Sequence, residues 1–307
     1  MSNLIVVLMG GLSGERKISF LTGKACSSAL KKKGYKVINL DAKGYFVEKL
    51  RKLKPTTVFN ALHGKYGEDG FVQSILELLK IPYTHSGVYA SSLAMDKELS
   101  RIIFNKNNIR VPKYFLLYRD YDENIIKKIR FPVVIKPVNE GSSLGVYICK
   151  NKIYFKNKYK KLMKEYDRVI VEEYIPGREI QVAVMGKKPL GAIELVPKRE
   201  FYDYTAKYSS SARTKHIMPA PLSPKKYKEV LNLAKKAHKL LGCKGITRSD
   251  FRFFNNKFYL LETNTQPGMT KLSLVPEIAK HYGMQFEELV NKMVKDASLN
   301  RWKSFIR

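Results

Sequence analysis

Apolar residues along this chain fall into two rhythms. Short continuous runs alternate with stretches where apolar positions recur every three or four residues. The first rhythm marks buried strands and the second marks amphipathic helices. Leu4–Met9 reads as a buried strand, followed by a helix from about Glu15 to Lys33 that Gly34 stops. Ser13 is its expected N-cap. Lys36–Leu40 and Thr57–Leu62 read as further parallel strands, which makes an α/β unit. Phe71–Lys80 and about Ser91–Lys106 carry helical patterns. A second unit starts near Val111, with strands over Pro132–Pro137 and Arg168–Ile175. A third follows, with strands Glu179–Met185 and Leu190–Leu195, and a helix Lys225–Leu241 ended by Gly242. Two helices near Ser273–Tyr282 and Phe286–Asp296 close the chain. The expectation is a mixed α/β (α+β) protein in three parts: 1–95, 96–178 and 179–307.

The stretch Ser249–Thr270 draws most attention. Phe251–Phe254 and Lys257–Glu262 flank Asn255–Asn256, a hairpin signal. Asp250, Glu262 and Asn264 are oxygen donors of the kind a hard cation prefers. Glu262 and Asn264 are two apart and share a strand face. A plain two-residue Asn-Asn turn would set Asp250 opposite Leu261, on the wrong face. A metal site therefore predicts a three-residue loop, which sets Asp250 opposite Glu262, or a bulge, and a two-residue turn would count against it. The alternative is an edge hairpin with polar ends.

Composition narrows the class. At 307 residues with 44% apolar content, the chain suits a multi-domain globular protein. No segment approaches the ~20 apolar residues that span a bilayer. MSNLIVVLMGG has no basic stretch ahead of its apolar run, so a first strand is expected rather than a signal peptide. The odd number of cysteines (26, 149 and 243), with no CxxC pair, suits a reducing cytosol and argues against structural zinc. The net charge of +30 invites a nucleic-acid reading. Only 14 of the 57 basic residues are Arg, however, and the lysines are spread along the chain. Arg, not Lys, makes the planar two-pronged contacts that read bases. The densest cluster, Lys150–Lys164, reads as a solvated helix face.

Several polar loops stand at strand ends. Gly10–Gly14 does not fit GxGxxG, and GxxxxGK[ST] is absent, so neither a dinucleotide fingerprint nor a P-loop is present. His63–Gly70, rich in Gly and charge, follows a strand where open α/β sheets place ligands. Lys136 ends a strand and is followed by Asn139–Gly145. Such a Gly/Ser loop suits phosphate oxygens or is an ordinary turn. Phe201–Ser210 is aromatic, polar and aperiodic, which marks a functional or disordered loop.

Together these pieces resemble the ATP-grasp superfamily and, more narrowly, the D-alanine–D-alanine ligases over almost the whole length. The carrying stretches are GGLSGERKIS at 10–19, LHGKYGEDG at 62–70, EGSSLGV at 140–146, VEEYIPGRE at 171–179, FYDYTAKYSS at 201–210 and ETNTQPGMTKLSLVP at 262–276. Thr205 departs from an often acidic position, and Ser249 from a usually apolar one.

The resemblance implies a three-domain architecture with ATP between the central and C-terminal domains. It implies ATP-dependent joining of two D-alanines through an acyl phosphate, for peptidoglycan precursor synthesis, by a cytoplasmic homodimer with no nucleic-acid or membrane partner. Asp250, Glu262 and Asn264 would hold two Mg²⁺ or Mn²⁺ ions. Lys97, Lys136 and Lys207 would contact phosphates, and the loop with Gly141, Ser142 and Ser143 would fold over the nucleotide. Glu172 would accept from the adenine amino group, the backbone of Glu173 and Ile175 would read the ring edge, and Glu179 would bind the ribose. Arg248 and the Gly268 N–H would stabilise the oxyanion. Glu15 would bind the first D-alanine's ammonium and Ser273 the second one's carboxylate. His63 and Glu68 would lie at the same cleft. Tyr208 would join Ser142 and Glu15 in a network that selects D-alanine over D-lactate as acceptor. Loops 141–145 and 201–215 would act as lids. Two alternatives stay open: another ATP-grasp carboxylate–amine ligase, and a Lys-rich nucleic-acid binder.

Overall fold

Six consecutive apolar residues form β1 (Leu4–Met9), which is buried along its whole length. A computed structural model describes residues 4–120, 123–141, 144–197, 214–270 and 272–299 of the chain. In it β1 lies between β2 (Lys36–Asp41) and β3 (Thr57–Asn60), parallel to both. A strand covered on both faces needs apolar residues at every position. Val6 and Leu8 pack on Leu50 of α2 (Phe46–Leu53) and on Val72 and Leu76 of α3 (Phe71–Leu78). Ile5, Val7 and Met9 pack on Cys26, Ala29 and Leu30 of α1 (Arg16–Lys32).

The helix expected over residues 91–106 is two helices, α4 (Val88–Met95) and α5 (Lys97–Lys106). Asp96 is extended between them, and its carboxylate accepts from the N–H groups of Glu98 and Leu99, both at 3.0 Å. An Asp two residues before a free helical N–H makes a new start cheaper than continuation. Ser13, the expected cap of α1, instead accepts from the Glu15 N–H and donates to the His63 carbonyl, and Glu15 occupies the N-cap position.

The second sheet, in the order β4-β7-β5-β6, contains β4 (Tyr114–Tyr118), β5 (Val133–Pro137), β6 (Tyr147–Cys149) and β7 (Arg168–Glu173). The sequence pattern does not announce β4 or β6. The first is only half-buried and the second is three residues long. Behind the sheet lie α6 (Glu123–Lys127) and α7 (Lys152–Leu162). Phe155, Tyr159 and Leu162 of α7 enter the cluster around Ile135 and Val171, while its lysines face outward.

The third sheet, β10-β9-β8-β11-β12, is antiparallel throughout. It contains β8 (Arg178–Met185), β9 (Lys188–Val196), β10 (Lys215–Ile217), β11 (Ile246–Phe254) and β12 (Lys257–Asn264). Helix α8 (Pro224–Leu240) covers one face through Val230, Ala234 and Ala237. Phe104, Ile109 and Val111 join that same cluster, so α5 is packed against the C-terminal sheet. The opposite face carries α9 (Leu274–His281) and α10 (Phe286–Lys295), whose cluster is continuous with Ile5, Val7 and Met9 of β1. The first and last thirds of the chain thus share one core.

The β11–β12 hairpin meets the register condition by the second of the two expected routes. Its turn is the two-residue one, with Asn255 and Asn256 at φ 46° and 58° and Phe254 opposite Lys257. That turn counts against the metal-site expectation, since by itself it would misplace Asp250. A bulge between Asp250 and Phe251 restores the pairing: Phe251 stands opposite Leu260, and Asp250 opposite Glu262. Leu261 is the extra residue. The bulge reverses the parity of β12, so that Phe258 and Leu260 enter the core while Glu262 and Asn264 take the face of Asp250 and Arg248.

Candidate active site

One face of the third sheet carries five of the residues singled out from sequence: Glu179, Arg248, Asp250, Glu262 and Asn264. Pairing places Glu179 beside Arg252, Gln181 beside Asp250, Asp250 beside Glu262, and Arg248 beside Asn264. Above Glu262 and Asn264 a cavity opens. It is lined from the N-terminal unit by Glu15, His63 and Glu68, and from the C-terminal unit by Arg248, Glu262, Asn264 and Gly268. Lys97, Glu140 and Gly141 complete the wall. Residues more than 200 positions apart therefore converge, which no local sequence spacing dictates.

Glu15 is a buried residue of the cavity lining. Gly64 and Gly141 approach it so closely that a Cβ on either would lie 3.0 Å from its Oε1. Gly64 also has φ +69°, so a larger residue would be both crowded and strained there. The imidazole of His63 bridges Thr22 Oγ1 at 2.8 Å and Glu68 Oε1 at 3.0 Å. Burial disfavours the imidazolium, but the Glu68 hydrogen bond and the charges of Glu68 and Glu15 outweigh it and raise His63 above its ordinary value.

The Arg248 guanidinium grips Asp250 in a two-pronged pair, Nε to Oδ1 at 2.8 Å and Nη2 to Oδ2 at 2.9 Å. Asn264 Oδ1 accepts from the Gln266 N–H at 2.8 Å, which leaves it a second lone pair. Asp250, Glu262 and Asn264 thus form an all-oxygen donor set on one face, and this fits a hard divalent cation. Lys97 Nζ donates to the Glu140 carbonyl at 2.5 Å and lies 3.7 Å from Glu262 Oε2. Its place at the first position of α5 aims it into the cleft.

Lys136 and Glu172 lie deeper, on neighbouring strands β5 and β7. Lys136 Nζ donates to Glu172 Oε1 at 2.9 Å, and Arg101 Nη2 donates to Glu172 Oε2. Burial pushes the Lys136 ammonium below its ordinary value despite Glu172. The Glu173 N–H donates to the Lys113 carbonyl, and the Ile175 carbonyl accepts from Arg252 Nε. Glu179 Oε2 lies 3.4 Å from Arg252 Nη1, and its Oε1 accepts from Gln181 Nε2 at 3.1 Å.

Ser273 is the N-cap of α9, and its Oγ accepts from the Thr270 N–H at 2.9 Å. Gly268 stands directly beside it, since a Cβ there would lie 2.9 Å from Ser273 Oγ. Ser142, Ser143, Lys207 and Tyr208, with most of the loop over 201–215, lie outside the described residues. No local sequence signal marks Arg101 or Arg252: an Arg in a helix or a strand looks solvated until its partners are known.

The model of the D-ala D-ala ligase C-terminus matches residues 104–295, and that of the N-terminus matches 44–86. The D-alanine–D-alanine ligase of Pelagibacter ubique is 56% identical over 98% of this chain and 100% of its own length. That of Wolbachia pipientis wMel is 47% identical over 95% of this chain and 94% of its own. Among solved structures, the Bacillus anthracis D-alanine–D-alanine ligase complexed with ATP superposes with a TM-score of 0.85 at 29% identity, covering 96% of this chain and 97% of its own. The Coxiella burnetii enzyme gives a TM-score of 0.82 at 26% identity, covering 99% and 96%. On the family models, the curated relatives and the solved structures together, the chain belongs to the D-alanine–D-alanine ligase family and has the ATP-grasp fold.

Proposed function

We infer that this protein joins two D-alanines at the expense of ATP. The γ-phosphoryl group passes to the carboxylate of the first D-alanine, giving an acyl phosphate and ADP. The amine of the second attacks the acyl carbon, phosphate leaves, and a proton is lost from the new amide nitrogen. The dipeptide is a precursor for peptidoglycan. The observation that carries this reading is the single cavity in which Glu15, Lys97, Arg248, Glu262, Asn264 and Gly268 meet.

Each group has a chemical reason to be there. A carboxylate attacking a polyphosphate meets charge repulsion, so catalysis is chiefly positioning and neutralisation. Asp250, Glu262 and Asn264 would hold Mg²⁺ or Mn²⁺, two ions, which neutralise phosphate charge when bound. Lys97 in the cavity wall and Lys136 deeper on β5 supply cations for the phosphates, and Lys207 joins them by family likeness. Glu172 takes the adenine amino group and Glu179 the ribose. The Glu173 N–H is already engaged, so its backbone would offer the ring edge a carbonyl. Glu15 takes the first ammonium, with His63 and Glu68 fixing the adjoining wall. Arg248 and the Gly268 N–H stabilise the developing oxyanion. Ser273, at a helix N-terminus, takes the second carboxylate. Ser142 and Tyr208 complete the acceptor side by family likeness. The three free, buried cysteines are compatible with work in the cytoplasm, and a homodimer is the family expectation, open to light scattering.

The deciding experiment measures phosphate release from ATP over a panel of D- and L-amino acids. D-alanine-dependent release with a D-alanyl-D-alanine product is expected. Release that follows another amino acid, or none, would overturn the assignment. A competition between D-alanine and D-lactate tests Tyr208. Mostly dipeptide is expected, with Tyr208→Phe raising the depsipeptide share.

A further inference from the structure

Among the described residues Arg101 heads the fully buried side chains by size, yet no step above uses it. It lies one helical turn after Lys97 on α5 and therefore on the same face. Its Nη2 donates to Glu172 Oε2 and also reaches the Leu261 carbonyl at 3.5 Å. Leu261 is the bulged residue of β12, skipped by the ladder between Leu260 and Glu262. A bulge leaves its extra residue unpaired, so that carbonyl needs a donor from elsewhere. The guanidinium also stacks 5.1 Å from the Tyr114 ring centroid. Its Nε and Nη1 find no acceptor among the described residues.

Such a residue is costly. A buried cation with unmatched N–H groups is less stable than an apolar side chain of the same volume. Stability alone would favour Leu or Met at this position. What Arg offers and they do not is a charged donor, Nη2, that reaches two parts of the cleft at once. At one end is Glu172, whose carboxyl burial would neutralise, but which Arg101 and Lys136 together hold below its ordinary value. At the other is the bulge on which the pairing of Asp250 with Glu262 depends.

We propose that Arg101 is a positioning residue of the nucleotide site, holding the base-reading carboxylate of Glu172 and the β12 bulge beside the metal ligands in one fixed geometry. This rests on the ATP-dependent reading above and deepens it. A carboxylate is an acceptor only. Kept ionised and fixed, Glu172 accepts from the exocyclic amine of adenine and repels the carbonyl oxygen that guanine presents at the same position. Arg101 thereby contributes to the choice of ATP over GTP without touching either.

The test uses the full-length protein and measures ATP and D-alanine KM, the ATP-over-GTP preference in kcat/KM, and direct ATP binding with Mg²⁺ but no D-alanine. Arg101→Met should raise the ATP KM about tenfold, the size of one charged hydrogen bond. The ATP-over-GTP preference should fall by a similar factor, while the D-alanine KM stays within about twofold. Arg101→Lys should recover part of the loss. In a Glu172→Gln background the Arg101→Met effect should shrink by at least half, because the shared partner is gone. A purely structural role predicts a lower melting temperature with ATP KM and nucleotide preference both unchanged, and that result would overturn the proposal. Should Arg101→Met not fold, Arg101→Lys decides: an ATP KM raised about threefold supports it, and an unchanged one refutes it. A wild-type enzyme inactive on D-alanine would fail the functional reading instead, and ATP titration would still decide the role of Arg101.

Discussion

A carboxylate among oxygen donors matters for its charge more than its shape. Glu262→Gln keeps the volume and the strand pairing but removes one negative charge from the donor set. Turnover is expected to fall by two orders of magnitude or more, about 3 kcal/mol of barrier. The melting temperature should stay nearly unchanged, since the side chain is partly exposed. Near-normal turnover at low Mg²⁺ would remove Glu262 from the metal site. His63 provides a pH-dependent counterpart. Its folded value is raised, so its contribution to stability is complete below the unfolded value, about 6.5, and is lost as pH climbs through the folded one. Glu68→Gln removes the largest raising partner. The stability gap between wild type and Glu68→Gln, on the order of 1–3 kcal/mol, should be wider at about pH 5.5 than at about pH 8.5. Equal gaps would mean that the imidazole is neutral throughout. Residue type and spacing marked Asp250, Glu262 and Asn264 as candidate oxygen donors, while the roles expected of the lysines came only from the family resemblance. Arg101 was not legible, because burial and pairing across 71 positions to Glu172 leave no local mark.

Elements impose their own conditions. Asp96 ends α4, caps α5 and pairs with Arg168 of β7, Oδ2 to Nη2 at 2.5 Å. Asp96→Ala should lower stability by about 1–2 kcal/mol through the cap alone. It should also raise the ATP KM, because α5 carries Lys97 and Arg101. Stability loss with an unchanged ATP KM would mean that the helix start does not aim those side chains. The turn at Asn255–Asn256 has φ positive at both residues. Asn256→Gly should therefore stabilise by a few tenths of a kcal/mol with no kinetic change, readable in a denaturation midpoint. The hairpin itself was legible from the aromatic runs and the Asn pair. Its bulge was legible only as a condition: if Asp250 and Glu262 share a site, parity must break somewhere between them. The local pattern does not say where, because a bulge is chosen by the packing of Phe258 and Leu260 below and the polar cleft above.

At the scale of the molecule, the charge of +30 is spread over surface lysines. It should produce weak, salt-sensitive attraction to polyanions and nothing more. DNA binding measured in a salt titration is expected to vanish by about 0.15 M salt. Tight binding that survives with sequence preference would revive the nucleic-acid reading. The fold class followed from patterns with short range. Continuous apolar runs gave buried strands, helical periodicity gave their cover, and Gly-rich polar loops marked the strand ends where ligands sit. These are decided by backbone geometry and side-chain polarity within a few residues, so the chain carries them openly. What it does not carry openly is which faces meet. The packing of α5 on the C-terminal sheet, the single core joining β1 to α9 and α10, and the junction of Glu172, Arg101 and Leu261 each depend on long-range burial. Many pairings of apolar faces would satisfy the same local patterns. Only the folded chain, where filling space and satisfying every buried polar group must be solved at once, selects among them.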